Sequence, residues 1–291
     1  MYLDIDPLRA SPHRRIDAPT APDWTVLIPF FNERDYLAAT IASLAAQSVS
    51  LTLILIDNGS TDGSAAVAQA ACRNHAIDYL LLTETRPGKV AALRAGLGWV
   101  RTRWVATCDA DTLYPPHYLA AAGSVLSQAG HVVAGAYFVA SNASDADLAR
   151  KARAFMSKAR LLPHQSHTGG AGQAFCTATL RAAGGFDADR WKYVLEDHEI
   201  IHRVMRGGAM GYAADLWCMP SPRDRDRASI RWTLFERLLY SAAAPWAGDW
   251  FFYSFLARRL QRRRLSSNRI RERQYQHIGE PAFVPSHPVL R

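Results

Sequence analysis

The sequence predicts an α/β fold, a mostly parallel sheet covered by helices on both faces, and three observations lead there. Short apolar runs alternate with helical patterns of about 10 to 13 residues from Trp24 onward, the signature of repeated βαβ units. Polar clusters at Asn32-Glu33, Asp57-Asn58 and Asp109-Ala110-Asp111 each fall just after a strand, and ligands of such sheets bind beyond the carboxyl ends of the strands. The 291 residues are 49% hydrophobic and 21% charged, an ordinary globular balance, and a chain of this length buries enough surface to fold without disulfides or a structural metal.

Met1 to Asp23 reads as a loose leader rich in Pro, Arg and Asp, without the continuous apolar core of a signal peptide. Trp24–Ile28 is a buried strand and Leu37–Gln47 an Ala-rich helix. Leu51–Ile56 forms a second strand that ends at the turn Asn58-Gly59, followed by a helix over Ala65–Asn74 and a third strand over Ile77–Leu82. Gly88–Val100 is helical, and Trp104–Cys108 is a fourth strand that runs straight into Asp109. The second half is less regular: a strand within His131–Val139, a helix over Ala146–Leu162, a flexible loop at Thr168–Gln173, and a helix over Leu195–Arg206 stopped by Gly207-Gly208. Beyond Pro220 the composition turns aromatic and basic, which marks a C-terminal helical extension.

Charge and cysteine usage narrow the function classes. Cys72, Cys108, Cys176 and Cys218 are far apart and form no CxxC pair, so reduced thiols are expected in place of a zinc site. The net charge is +8, and eight arginines stand between Arg258 and Arg273. Such a run is read as a solvated tail, an anionic-lipid contact or a nucleic-acid patch. No uncharged apolar run reaches the roughly 18 to 20 residues that span a bilayer. Leu238–Leu256 comes nearest and is broken by Pro245, Gly248 and Asp249. A cytoplasmic protein, soluble or peripheral at the membrane, is expected.

Asp109-Ala110-Asp111 places two carboxylates near one point, hard oxygen ligands suited to Mg²⁺ or Mn²⁺ bridging to substrate phosphates. As a lone tripeptide it is weak, since Asp145-Ala146-Asp147 and Asp187-Ala188-Asp189 repeat the pattern. Only the first follows a strong apolar strand. The other two are assigned to a helix start and a loop.

The order of motifs makes this triplet specific. Val26-Leu27-Ile28-Pro29-Phe30-Phe31-Asn32-Glu33 is similar to "V-x-I-P-x-Y-N-E", with Phe31 in place of Tyr. Leu55-Ile56-Asp57-Asn58-Gly59-Ser60-Thr61-Asp62-Gly63-Ser64 matches "V-D-D-G-S-T-D-x-S/T", and Gly88-Lys89 opens "G-K-x-x-A-L-N-x-G", with Arg94 for the Asn. Gln47, the Asp109–Asp111 triplet, Gly184-Gly185-Phe186-Asp187 and Glu196-Asp197 complete the series. Over residues 24 to 215 the chain resembles family 2 glycosyltransferases, whose catalytic domain has the GT-A fold, a Rossmann-like nucleotide-diphospho-sugar transferase.

The resemblance implies an inverting, non-processive transferase that moves one sugar from a UDP-, GDP- or dTDP-sugar to a hydroxyl of a glycan or lipid-linked acceptor. It divides the chain into a leader (1–23), a catalytic domain (24–218, nucleotide half 24–112 and acceptor half 113–218) and the extension (219–291). It assigns Pro29, Phe31, Asn32, Glu33, Asp57, Asn58, Lys89, Asp109 and Ala110 to the donor nucleotide. Asp111 becomes the chief metal ligand, with Asp109 second. Asp197 becomes the general base and Glu196 its alternate. Gly170, Gly172 and Gln173 are placed beneath sugar and acceptor, and Arg231 near the diphosphate.

Departures from the pattern leave some choices open. Asn58 stands where relatives carry Asp, which leaves the base open. Arg231-Trp232 is similar to the end of the Q-x-x-R-W motif of processive synthases, but Ala228 replaces its Gln. His198 and His202 carry little weight as metal ligands. The aromatics and arginines of 232–273 read first as helices packed on the core, then as a peripheral membrane contact or a homo-oligomer interface; no nucleic-acid partner is expected. A sugar-phosphate nucleotidyltransferase lacks its Gly-rich, Arg- and Lys-containing opening here. A non-catalytic sugar-nucleotide sensor would not need Asp197.

Overall fold

A computed structural model describes residues 23–221 and 232–266. The leader through residue 22, Arg231 and the arginines at 269, 271 and 273 lie outside the described residues.

The first half follows the expected order: β1 (Trp24–Phe30), α1 (Arg34–Ala45), β2 (Leu51–Asp57), α2 (Ser64–Asn74), β3 (Tyr79–Thr83), α3 (Lys89–Leu97) and β4 (Trp104–Thr107). β1 is buried at six of its seven positions, as a central strand with both faces covered must be. It pairs in parallel with β2 from Trp24↔Leu51 to Phe30↔Asp57, and with β4 from Trp24↔Trp104 to Leu27↔Thr107. These registers bring the carboxyl ends of three strands to one rim. One apolar cluster, with Ile41, Leu55 and Tyr118, lies on one face of the sheet; another, with Leu93, Phe175 and Ile201, lies on the other.

After β4 come β5 (Thr112–Leu113), α4 (Tyr118–Leu126), β6 (His131–Gly135), β7 (Tyr137–Phe138), α5 (Asp145–Leu161), β8 (Gln173–Cys176), α6 (Thr177–Ala182), α7 (Glu196–Val204), β9 (Ala209–Gly211) and β10 (Trp217–Pro220). The main sheet has the order β3-β2-β1-β4-β8-β6-β9, with β8 antiparallel to both neighbours. β5, β10 and β7 make a second, three-stranded sheet. The single strand expected over His131–Val139 is therefore two. Only Ala136 separates them, and its N–H donates to the Gly172 carbonyl (2.7 Å) as the chain crosses between sheets.

The expected flexible loop at Thr168–Gln173 is also different. Gly170–Gly172 form a 3₁₀ turn, and Gln173 opens β8. Thr168 Oγ1 donates to the Ala136 carbonyl (2.5 Å) and the Gly172 N–H to the Gly169 carbonyl (3.1 Å). Backbone groups satisfied from both sides fix this segment, so its glycines provide close approach and not mobility.

In the extension, α8 (Leu234–Asp249) begins with a capping box between Thr233 and Glu236 and kinks at Ala247. A π-helical segment (Trp250–Leu256) and α9 (Ala257–Arg262) follow. This hairpin has a core shared with the catalytic domain: Tyr240, Phe251, Phe252 and Leu256 pack with Trp191 and Val194. The reading of a helix pair packed on the domain describes this face.

Candidate active site

The loops leaving β1 and β2 are stapled to each other. Asn32 adopts a left-handed conformation (φ 53°), which Asn tolerates better than most side chains. Its Oδ1 accepts from the Thr61 N–H (2.8 Å), and its own N–H donates to Ser60 Oγ (3.1 Å). The Glu33 N–H donates to Ser64 Oγ (2.8 Å), and Asp57 Oδ1 accepts from the Ser60 N–H (2.8 Å). Asn32, Glu33 and Asp57 therefore share one rim at the carboxyl ends of β1 and β2, beside Pro29 near the end of β1 and Phe31 just after it.

Asn58 is buried and turned inward. Its Nδ2 donates to the carbonyls of Glu84 and Arg86 (2.8 Å each), and its Oδ1 accepts from the Gly88 N–H (2.8 Å). Gly88 has φ 120°, a conformation that favours glycine, and the next residue is Lys89 at the start of α3. Asn58 thus sets the position of Lys89 through the turn between them.

Lys89 Nζ lies 2.5 Å from Asp109 Oδ1 and 4.0 Å from Glu196 Oε1. Burial pushes the ammonium's pKa down, but Asp109, Glu196 and Asp197 more than offset this and hold it above the usual lysine value. These residues, with Asp111 and Gly170, line a cleft of about 280 Å³. Asp109 leaves the end of β4, and its N–H donates to the Tyr114 hydroxyl (3.0 Å), which donates to the Ala171 carbonyl (2.8 Å). Ala110 is buried, and its carbonyl accepts from Thr40 Oγ1 (2.9 Å). Asp111 leads into β5; its carbonyl accepts from the Ser221 N–H (2.8 Å) and its carboxylate from Ser221 Oγ (3.3 Å).

Glu196 and Asp197 form the first turn of α7, where the free N–H groups and the helix dipole favour acids. Leu195 before them is left-handed (φ 65°), a strain of about 1 kcal/mol or more for a branched side chain. Asp197 Oδ1 accepts from the His198 N–H (2.9 Å), and Gln173 Nε2 donates to the Asp197 carbonyl (3.3 Å). A Cβ at Gly170 would sit 3.0 Å from Lys89 Nζ and 3.4 Å from the Asp197 Cβ, so a side chain there would crowd the cleft. Burial raises the Glu196 carboxyl to about 7, with Lys89 opposing and Asp197 adding to the rise. Burial likewise holds Asp197 above the usual aspartate range against the pull of Lys89.

His198 and His202 do not line the cleft. The His198 ring packs edge-on against Trp232 (5.0 Å), and burial lowers its pKa to about 4. His202 stacks on Phe252 (5.1 Å) and bonds Asp249 (2.8 Å). Both join α7 to the C-terminal hairpin.

Among the described residues no three His, Cys, Asp or Glu side chains gather into a metal cage. Mg²⁺ and Mn²⁺ seldom need one, since they keep waters and share substrate phosphates with one or two carboxylates. Asp109 and Asp111 open into the same cleft, and Asp109 already holds a cation in the Lys89 ammonium. The donor set fits such an ion.

The sequence model of Glycosyl transferase family 2 matches residues 25–183, more than half of the chain. The chain belongs to this family. Its curated relatives include the succinoglycan biosynthesis protein ExoU of Rhizobium meliloti, 32% identical over 47% of this chain and 37% of that protein. The undecaprenyl-phosphate 4-deoxy-4-formamido-L-arabinose transferase of Sodalis glossinidius is 32% identical over 38% of this chain and 35% of its own length. These matches span little more than a third of either relative. Among solved structures, a Pyrobaculum calidifontis mannosyltransferase with GDP-Man and Mn²⁺ superposes with a TM-score of 0.60 at 22% identity, covering 81% of this chain and 73% of that one. S. aureus TarS with UDP-GlcNAc gives 0.56 at 16% identity, covering 82% and 73%. At such identities the likeness speaks for the GT-A fold.

Within this family fold, the motifs at Lys89, Asp109, Asp111, Gly170, Glu196 and Asp197 meet in one cleft, while the β1 and β2 motifs form the neighbouring rim. Gly172 and Gln173 are buried behind it. Sequence reading missed Thr112, Phe138, Leu195 and Pro220 in the lining, and the Tyr114 hydroxyl that joins Asp109 to the Gly170 turn. Tyr114 follows the triplet closely, but nothing local to it signals a partner 57 positions away. Gln47, part of the motif series, joins the end of α1 to the start of α4 through the Pro115 carbonyl (2.8 Å) and the Leu119 N–H (2.9 Å).

Proposed function

We propose that the chain is an inverting, non-processive glycosyltransferase that passes one sugar from a nucleotide-diphosphate sugar to an acceptor hydroxyl. One observation carries this reading: Asp109, Asp111, Glu196, Asp197 and Lys89 line a single cleft beyond the parallel strands. The cleft of about 280 Å³ takes a sugar and diphosphate, and leaves the nucleoside to the rim of Pro29, Phe31, Asn32, Glu33 and Asp57. Asn58 acts there by holding the turn that carries Lys89.

In the reaction, the acceptor oxygen attacks the anomeric carbon from the face opposite the diphosphate. The bond from that carbon to the diphosphate oxygen breaks, and the nucleoside diphosphate leaves with the electron pair. Asp197 takes the hydroxyl proton, a contribution typically of about 10²- to 10⁴-fold. Asp111 and Asp109 would hold Mg²⁺ or Mn²⁺, which neutralises charge growing on the diphosphate. Lys89 supplies positive charge on the same side, and Gly170 keeps the floor clear of side chains. The undecaprenyl-phosphate in a relative's name supports a lipid-linked acceptor.

The test is a thermal-shift and transfer assay over UDP-, GDP- and dTDP-sugars with and without Mn²⁺. Asp111→Ala is expected to lose metal-dependent donor stabilisation and transfer. Asp197→Asn is expected to keep donor binding and lose transfer. Full transfer by either variant overturns its assigned role.

A further inference from the structure

The C-terminal hairpin has two faces of opposite character. Its packed face closes over Trp191 and Val194. Its other face exposes Leu234 (75%), Phe235 (58%), Leu238 (62%), Trp246 (90%) and Trp250 (48%). The patch runs across both arms: Trp250 stacks on Phe255 (5.7 Å), Phe255 meets Phe235 (6.0 Å), and the Arg259 guanidinium covers both phenylalanines (5.8 and 5.5 Å). Exposed apolar side chains concentrated on one hairpin in this way mark an interaction site.

The charges around it select the partner. Residues 232–266 carry six arginines against two acids, Glu236 and Asp249. Both acids are engaged: Glu236 is fully buried against Arg259 and Arg263, and Asp249 bonds His202 and Arg206. Arg237, Arg258 and Arg262 are exposed and have no carboxylate partner among the described residues. A second copy docking on this face would bring like charges together. A surface of anionic headgroups over acyl chains complements both features, because tryptophan and arginine settle at the boundary between them.

From this juxtaposition we infer that the Trp246–Leu238 face of the hairpin docks the protein on an anionic phospholipid bilayer. The hairpin is braced on the helix that begins with Glu196 and Asp197. Tyr253 donates to Glu199 Oε1 (2.5 Å), and Asp249 bonds His202 (2.8 Å). Docking therefore fixes the orientation of the cleft relative to the bilayer. The docking does not depend on the transferase reading; its use for a lipid-linked acceptor does.

Vesicle sedimentation of the full chain tests it, with vesicles of phosphatidylcholine alone and of phosphatidylcholine with phosphatidylglycerol. The wild type is expected to sediment with the anionic vesicles, less so as salt rises. Trp246→Ala with Leu238→Ser is expected to weaken this roughly tenfold or more. Arg258→Glu with Arg262→Glu is expected to abolish the preference for anionic vesicles. All four side chains are exposed, and an unchanged melting temperature and circular dichroism spectrum will show that the variants fold. Absence of binding to both vesicle types overturns the inference, as does binding that neither pair alters. A dimer that the Trp246/Leu238 pair breaks, without vesicle binding, assigns the face to a second copy and also overturns it.

Discussion

Lys89 stands among carboxylates that compete for its charge, and the balance bears on the protonation of Glu196 and Asp197. Asp197 and Glu196 are both pushed up by burial and pulled back by Lys89. With Asp197 as the proposed base, transfer needs it ionised, so the rate should rise with pH as that proton leaves. Lys89→Met removes the downward pull and is expected to move this limb of the pH–rate profile up, while Lys89→Arg leaves it close to wild type. An unmoved limb in Lys89→Met would separate Lys89 from the base. Stability gives an independent readout. Glu196 binds its proton more tightly folded (about 7) than unfolded (4.5), so stability falls as pH rises through that window. Glu196→Gln should flatten the fall and stabilise the protein by on the order of 1 to 2 kcal/mol near pH 8, with little effect near pH 4, as read by urea unfolding at each pH. At this scale the sequence exposed the acids through their motif order. The inward turn of Asn58 and the grip of Lys89 on Asp109 were not legible, because both depend on partners 20 or more positions away.

At the scale of elements, the turn between β3 and α3 hangs on one amide. Three main-chain groups, at Glu84, Arg86 and Gly88, are satisfied by the Asn58 side chain. Asn58→Ala is expected to cost about 2 to 3 kcal/mol in urea unfolding, since buried partners are left unpaired. Asn58→Asp should also destabilise, because it keeps the acceptor but loses both donors. A loss under about 0.5 kcal/mol for Asn58→Ala would show that the turn holds without it. The same scale explains why the first half was readable and the second was not. β1 and β2 are seven-residue apolar runs flanked by helices, whereas β5 and β7 have two residues each and β9 three. Strands that short carry no period, and their pairing is decided by distant neighbours. α4 was missed for a different reason: it is so uniformly apolar, with seven of nine residues buried, that it shows no polar face.

Across the whole molecule, the hairpin and the catalytic domain share one core, and charge reinforces the seam. Glu199 and Arg203 are almost fully buried on α7, bonded to each other (2.7 and 2.9 Å) and, through Glu199, to Tyr253 of the hairpin. Urea unfolding should therefore be a single transition, with near-ultraviolet circular dichroism from the hairpin aromatics and far-ultraviolet signal sharing one midpoint. Two separated midpoints would make the hairpin an independent appendage. The composition of the extension announced its aromatic and basic character, but which aromatics are buried follows only from the fold.

The Asp109-Ala110-Asp111 triplet spans a joint. Asp109 hangs from β4 in the seven-stranded sheet, whereas Asp111 leads into the strand that pairs Thr112 and Leu113 with Pro220 and Met219 in the three-stranded one. The two carboxylates that a divalent ion would share are thus carried by different sheets. The spacing of the two carboxylates is therefore set by how the two sheets pack, and the Asp111–Ser221 bonds tie the second carboxylate to the residue that follows β10.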